Sequence, residues 1–214
     1  LDAQPYQFKA FRALLEALEV DEYEAVQLTD AIRDWTDKNT QLVSSNGAED
    51  AYYEGLNHPY LVANQWLLGT DELRAVRGVS SELYARLAPY VCTLPNDKLV
   101  VNINTIKPEQ AALLVGLYQG KIGLDDAKRV LTNRPKKGWK EKKEMTDELS
   151  IQPGSITGLD GALDIKSSFF EPRLLAQVGD VRPRLAPVFP RRKDNKRGKR
   201  PPLTAGAHEP HEPA

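Results

Sequence analysis

The chain has 214 residues, enough to bury a sizeable core, and a hydrophobic share of 41% that is ordinary for a globular protein. It contains no apolar run of about eighteen residues, so the sequence predicts no membrane-spanning segment. The single cysteine, Cys92, excludes an internal disulfide framework and a multi-cysteine zinc site. Because the chain begins at Leu1 without a signal-like apolar stretch, we expect it to be a processed or excised part of a longer protein.

The net charge of −1 hides an asymmetry between the two ends of the chain. Residues 1–70 hold twelve acids and four bases, whereas residues 191–200 hold seven bases and one acid. The high charge and low hydrophobicity of residues 191–214 predict a disordered tail. Such a tail could touch anionic lipid or nucleic acid, although a solvated extension is the simpler interpretation.

Apolar residues at helical spacing predict two helices at the start of the chain. The first covers residues 6–20, and the pair Asp21 and Glu24 is typical of the start of the second. The apolar side chains of the two helices are Phe8, Phe11, Leu14, Leu15 and Leu18, then Tyr23, Val26, Ala31, Ile32 and Trp35.

Further helices are predicted beyond the acid-rich loop that follows Trp35. Residues 61–68 predict a short helix ended by Gly69, and Thr70 is the expected cap of the next turn. Ser80 then begins another helix, after a break at Gly78.

The middle of the chain combines one extended segment with two helices. Residues 99–104 alternate and are β-branched, which predicts an extended segment. Pro108 is well placed as the first residue of a helix that ends near Leu117, and residues 124–131 predict another.

The C-terminal part predicts a small β region. Residues 173–178 and 181–188 alternate on either side of Gly179-Asp180, a pattern typical of a hairpin. Pro183 and Pro187 restrict the second strand to an edge or an irregular pairing. So short a β region cannot bury its own face, and we expect it to complete a sheet whose other strands are missing or come from a partner. The fold class is therefore α+β.

The sequence does not indicate an enzyme. It has no Ser/His/Asp set, Cys/His pair, HExxH motif or glycine-rich phosphate loop. Residues 73–79 and 101–105, each followed by a helix, resemble parts of a helix–hairpin–helix DNA-binding element. However, Ser80 stands where the binding version has a second glycine, and residues 71–134 balance nine bases against seven acids. We interpret the hairpin as a packing device and keep a DNA-binding module as the alternative function.

Oxygen-bearing side chains crowd the segment between residues 37 and 50. Asp37, Asn39 and Gln41 alternate, so that several oxygens can face one point, and Glu49-Asp50 could complete the oxygen shell of a calcium ion. The sequence does not fit an EF-hand loop that begins at Asp37, because leucine and alanine occupy the positions where that loop requires glycine and glutamate. Composition alone leaves both a cation site and a solvated loop open.

Several motifs in order resemble the GspK family, the large minor pseudopilins of type II secretion systems. The resemblance covers roughly residues 5–188. The segments that carry it are Asp34–Asp37, Gly47–Tyr53, Asp71–Val79, Val101–Thr105 and Ser167–Phe170.

The resemblance implies a pseudopilin fold with a large α-helical domain inserted into it. Residues 1–132 would form most of the insertion, residues 133–190 would return to the pseudopilin β-sheet, and residues 191–214 would be the basic, proline-rich tail. The resemblance also implies that the family's N-terminal transmembrane helix and first sheet segment lie outside this chain.

The resemblance also implies a non-enzymatic role at the tip of the periplasmic pseudopilus. There the protein would assemble with the I and J pseudopilins, with the H pseudopilin, the secreted substrate and the secretin as further candidate contacts. No nucleic-acid partner is expected. The chain would be the periplasmic domain of a protein anchored in the inner membrane of a Gram-negative bacterium.

Calcium binding in the family favours a structural calcium site in the acid-rich loop. Carried over by position, the ligands would be Asp37, Asn39, Glu49 and Asp50, with Gln41 as a fifth candidate. Family members often have aspartate where this chain has Asn39, which would make the site less charged and weaker. Lys107 replaces the usual small capping residue before Pro108, which would weaken that helix start.

Overall fold

The computed structural model describes residues 5–149, 151, 153–170, 174–175, 184–185 and 189–190. The chain divides into two units after Ser167. The first unit holds the helices and one pair of short parallel strands, and the second holds short antiparallel strand pairs. The mixed α+β fold expected from the sequence is confirmed.

The two predicted N-terminal helices are present as α1 (Tyr6–Ala17) and α2 (Glu22–Thr36). The Asp21 carboxylate caps α2 by accepting a hydrogen bond from the Tyr23 N–H at 2.9 Å. Satisfying an otherwise unpaired N–H in this way fixes where the helix begins. Among the described residues, no Glu24 oxygen accepts the Asp21 N–H in return, so only the Asp21 side chain caps the helix.

Helix α1 packs closely on α5 (Ala111–Leu117) at Gly116. A Cβ atom there would lie 2.9 Å from the Ala10 carbonyl oxygen and 2.9 Å from the Leu14 Cβ. A 3₁₀ turn at Pro108–Gln110 precedes α5, and the Gln110 side chain accepts the Lys107 N–H at 3.2 Å. Lys107 therefore does not prevent the predicted start, because the cap comes from a residue inside the turn.

The predicted helix over residues 61–68 is wrong. Residues 55–69 contain no helix or strand, and Asn64 adopts a left-handed backbone with φ of 49°. Side-chain carboxylates take N–H groups that a helix would use: Asp50 accepts from Val62 at 3.0 Å, and Glu72 accepts from Leu68.

The next helical turn has a different N-cap residue from the one predicted, Gly69 instead of Thr70. The 3₁₀ helix Thr70–Ala75 follows Gly69, whose N–H donates to the Glu72 carboxylate at 3.1 Å, so Thr70 lies inside the helix. Helix α4 (Ser81–Leu87) begins as predicted, with the Ser80 hydroxyl accepting the Leu83 N–H at 3.1 Å. A short 3₁₀ helix, Ala88–Tyr90, follows α4.

The extended segment predicted at residues 99–104 supplies β1 (Val101–Asn102). It pairs in parallel with β2 (Leu163–Asp164), so that Val101 lies opposite Leu163. Helix α6 (Leu124–Thr132) agrees with the prediction for residues 124–131.

Residues 133–167 belong to the first unit, which ends later than the boundary at 132 that the resemblance implied. They hold α7 (Lys142–Thr146), a 3₁₀ turn at Pro153–Ser155 and α8 (Leu159–Ala162). The physical reason is a shared core, in which buried side chains of this segment join those of α5 and α6. The shared core includes Leu114, Tyr118, Leu131, Trp139, Met145 and Leu159.

Hydrogen bonds of the Asn104 side chain, two residues after β1, also hold residues 133–167 in place. The Asn104 amide donates to the Trp139 carbonyl oxygen at 2.9 Å and accepts the Trp139 N–H at 2.8 Å. Gly138 has φ of +76° and lies against Asn104, where a Cβ would come within 2.9 Å. Both features tie the segment to the helical unit.

The second unit contains β3 (Phe169–Phe170) paired antiparallel with β6 (Phe189–Pro190), and β4 (Leu174–Leu175) paired antiparallel with β5 (Arg184–Leu185). The β4–β5 register joins residues equidistant from Gly179-Asp180, as the predicted hairpin requires. The turn itself, Pro183, Pro187 and the tail at 191–214 lie outside the described residues.

Within the part of the chain that the structure describes, no helix is both long and apolar enough to cross a bilayer.

We expect Gly116→Ala to lower the free energy of unfolding by about 1–3 kcal/mol, because the new methyl group forces α1 and α5 apart. Gly161→Ala is the matched control, since its Cβ meets no atom within 4 Å inside α8. The control should be neutral or stabilising by up to about 1 kcal/mol. Urea unfolding measures both, and equal effects would contradict the close packing.

Candidate cation-binding loop

The buried Asp34 carboxylate organises the loop between α2 and α3 (Asp50–Glu54). Asp34 lies in the last turn of α2 and is 0% exposed. Its Oδ1 accepts the Val43 N–H at 2.9 Å, and its Oδ2 accepts the Ala48 N–H at 2.8 Å. Burial raises the pKa of Asp34, whereas these two hydrogen bonds lower it. One side chain therefore holds two distant points of the loop.

The loop backbone approaches this carboxylate closely because residue 47 is glycine. A Cβ on Gly47 would overlap the Asp34 carboxylate. A second contact ties the loop to α2, where the Ser44 hydroxyl donates to Asp30 Oδ2 at 2.6 Å. The Asn46 N–H in turn donates to the Ser44 hydroxyl oxygen at 3.0 Å.

Arg77 fastens the outer side of the loop. Its Nη1 donates to the Gly47 carbonyl oxygen at 2.9 Å, and its guanidinium carbon lies 4.7 Å from the centre of the Tyr52 ring. The Arg77 N–H donates to the Tyr53 hydroxyl oxygen at 3.3 Å. The buried Tyr53 ring meets Trp35 edge-on, with centroids 5.2 Å apart. Arg77 thus links the loop to the packed rings of Tyr52, Tyr53 and Trp35.

The alternating polar residues at the start of the loop form two successive side-chain turns. Asp37 Oδ1 accepts the Asn39 N–H at 3.0 Å, and Asn39 Oδ1 accepts the Gln41 N–H at 2.8 Å. Asn39 and Gln41 are exposed, whereas Asp37 is half-buried. The side chains of Asp37 and Asn39 thus accept hydrogen bonds from the nearby backbone instead of pointing together at one ion. The second carboxylate oxygen of Asp37 takes no part in these two turns.

Glu49 is the unusual member of the predicted set. It is 7% exposed, and neither carboxylate oxygen has a hydrogen-bond partner among the described residues. The pKa of Glu49 is raised to about 7, mainly by burial and in addition by the charges of Asp34, Asp37 and Asp50. A buried carboxylate without donors is costly unless it is protonated or bound to a cation.

The five predicted ligands therefore divide into two groups. Glu49 lies close enough to Asp37 and Asp50 to feel their charges, while Asn39 and Gln41 lie on the exposed turns. Asp50 is partly engaged, because its Oδ1 accepts the Val62 N–H. Among the described residues, no three His, Cys, Asp or Glu side chains form a ready metal-binding group. A cation here would also need amide or carbonyl oxygens, which calcium accepts.

Sequence reasoning missed two residues of this region. The sequence places Asp34 only within the segment Asp34–Asp37, although an acid between Ala31 and Trp35 on the apolar face of a helix is a signal in itself. Asn64 also escaped notice, and its Oδ1 is buried without a described partner. Only the fold shows that the Asp34 side chain and the Asn64 Oδ1 atom are buried.

We expect Asp34→Asn to lower the free energy of unfolding by about 2–3 kcal/mol, because an amide can accept only one of the two loop N–H groups well. Asp97→Asn, at an exposed position, removes the same charge as a control and should change the stability little. Urea unfolding tests both variants, and equal stability of Asp34→Asn and the unmodified chain would overturn the proposed role of the carboxylate.

We also expect the calcium-free chain to lose stability as the pH rises from about 4.5 to about 7, since folded Glu49 holds its proton more tightly than unfolded Glu49 does. Glu49→Gln mimics the protonated side chain and should reduce this loss. Urea unfolding at about pH 5 and about pH 8 gives the comparison. An unchanged pH dependence in the variant would contradict the raised pKa.

Comparison with known proteins identifies the family. Two family models described as type II secretion system, protein K match residues 2–96 and 101–166. The chain is 74% identical over 196 residues to the type II secretion system protein K of Aeromonas hydrophila, covering 92% of this chain and 59% of that protein. It is 40% identical over 176 residues to the corresponding protein of Dickeya chrysanthemi, covering 82% of this chain and 48% of that protein.

A solved structure supports the same assignment. The crystal structure of the GspK–GspI–GspJ complex from enterotoxigenic Escherichia coli matches with a TM-score of 0.78 and 25% sequence identity. The match covers 90% of this chain and 69% of the matched chain. The predicted resemblance is confirmed, and the DNA-binding alternative is not favoured. The chain belongs to the protein K family of the type II secretion system.

Proposed function

We propose that the chain is a periplasmic part of a minor pseudopilin, a structural component of the pseudopilus tip that acts in protein secretion across the outer membrane. The structural match to GspK over 90% of the chain carries this proposal. The matched protein was solved with GspI and GspJ, which makes the corresponding I and J pseudopilins the expected partners. A membrane anchor would precede the region covered here.

The contacts around the hairpin support a structural role over DNA binding. The Arg74 guanidinium lies over the Tyr84 ring at 5.7 Å, and Arg77 lies over Tyr52. Gly78 has φ of +87° and approaches Leu28 in the core. The cations beside the hairpin are thus used in packing, whereas a phosphate-binding hairpin would need them free.

The assembly proposal is tested by co-expression with the I and J pseudopilins of the same secretion system. We expect the three chains to elute together in size-exclusion chromatography. If this chain forms no complex with either partner, its assignment to the pseudopilus tip is wrong. Binding to double-stranded DNA that weakens steeply with salt would support the DNA-binding alternative.

We also propose that the loop binds a structural calcium ion. Glu49 supports it best, because it brings two buried oxygens that lack described partners into a region of negative charge. Asp37 and Asp50 are the further carboxylate candidates, and Asn39 and Gln41 remain the amide candidates from the sequence. The bound ion would neutralise the carboxylates and so stabilise the loop.

We expect added calcium to raise the melting temperature by about 5–10 °C at a concentration about a hundred times the dissociation constant. A chelator should reverse the gain, and Glu49→Gln should remove most of it. Asp97→Asn serves as the charge control and should keep the full response. Differential scanning calorimetry measures the shifts. Equal responses of Glu49→Gln and the unmodified chain would exclude Glu49 as a ligand, and no response in either would exclude the calcium site.

A further inference from the structure

Four large apolar side chains lie exposed on the irregular loop between α3 and the 3₁₀ helix Thr70–Ala75. We call this the apolar loop surface, and its members are Tyr60, Leu61, Trp66 and Leu68. Their exposed fractions are 38%, 61%, 55% and 82%, respectively. Single exposed apolar residues are common, but several within nine residues of one loop are typical of an interaction site.

The backbone that displays these side chains is held at several points. The Tyr60 hydroxyl donates to the Ala75 carbonyl oxygen at 2.7 Å, and its ring lies 6.3 Å from that of Trp35. The Leu68 N–H donates to Glu72, and the Leu68 carbonyl oxygen accepts from the Thr93 hydroxyl at 3.4 Å. The surface is therefore presented by a fixed loop, which lowers the entropy lost when a partner binds.

Packing inside the chain does not account for the exposed residues. The same loop buries Val62, whose N–H is fixed by Asp50, while the larger Trp66 and Leu68 face water. Asn64, with its left-handed backbone, lies between the buried Val62 and the exposed Trp66 and Leu68. A partner that covers these side chains would remove apolar surface from water, so this surface can contribute to binding.

The charge around the surface specifies the kind of partner. Residues 54–72 include Glu54, Asp71 and Glu72 but no lysine or arginine. The next cations along the chain, Arg74 and Arg77, follow this segment and lie beside the rings of Tyr84 and Tyr52. An acidic rim attracts a basic partner and repels an anionic lipid surface.

We propose that the apolar loop surface is a docking site for a polypeptide segment whose apolar side chains are flanked by lysine or arginine. The apolar side chains would cover Leu61, Trp66 and Leu68, and the basic flanks would lie against the acidic rim. This inference goes beyond the proposed function, because it requires neither the I and J pseudopilins nor a bound cation.

The test uses fluorescent twelve-residue peptides with a central tryptophan and two leucines. One peptide has lysines at both ends, a second has glutamates there, and a third replaces the apolar residues of the first by serine. We expect the full chain to bind the lysine-flanked peptide on the order of tenfold more tightly than either of the others, measured by fluorescence anisotropy. Binding should weaken at about 0.5 M salt.

Variants of the chain locate the site. The double variant Trp66→Ser/Leu68→Ser should reduce binding of the lysine-flanked peptide at least about tenfold, and its circular dichroism should show that it remains folded. Leu124→Ser is the matched control, since Leu124 is also about half exposed but lies on α6. Equal binding by the double variant and the control would overturn the proposal, as would binding of all three peptides with one affinity.

Two other occupants are tested in the same set of proteins. Analytical ultracentrifugation that shows self-association, lost in the double variant, would assign the surface to a second copy of the chain and overturn the proposal. Co-sedimentation with phosphatidylglycerol vesicles, lost in the double variant, would assign it to a membrane and overturn it as well. A monomeric chain that does not sediment with vesicles and binds the lysine-flanked peptide supports it.

Discussion

The folded loop depends on one buried carboxylate. Asp34 accepts N–H groups from residues nine and fourteen positions further along the chain, which closes the loop against the end of α2. The other features of the loop follow from this closure. Gly47 must lack a side chain because it touches the carboxylate, and its carbonyl oxygen is then placed to accept from Arg77. Arg77 in turn joins the loop to Tyr52 and Tyr53.

The same carboxylate adds to an electrostatic cost at Glu49 that a cation would offset. Burial is the main cause that disfavours ionisation of Glu49, and the charges of Asp34, Asp37 and Asp50 add to it. Two hydrogen bonds from loop N–H groups compensate the burial of Asp34, whereas neither oxygen of Glu49 has a hydrogen-bond donor among the described residues. Hydrogen bonds to Asp34 thus hold the loop together, whereas the burial of Glu49 without hydrogen-bond donors is unfavourable. A calcium ion would offset that cost without changing the hydrogen bonds that close the loop.

Sequence reasoning succeeded where the determining contacts are local. Asp21 and Ser80 start helices through bonds to residues two or three positions away, so a short window contains the whole signal. It failed at residues 61–68, whose N–H acceptor Asp50 lies twelve residues before Val62. It also missed the packing of residues 133–167, because Asn104 and Trp139 meet only in the fold. The candidate cation ligands were suggested by their spacing and by the resemblance, and they stay a prediction; only the fold shows that Glu49 is the buried one among them.

Helix α3 links the two regions of interest. It has only five residues, too few to be stable alone, so its position depends on its neighbours. Glu49 precedes its first residue, and Asp50 reaches across to the Val62 N–H of the apolar loop. Trp35, next to Asp34, contacts the ring of Tyr60. Helix α3 therefore contacts both regions, since it directly follows Glu49 and its Asp50 side chain holds the backbone of the loop that carries the apolar loop surface.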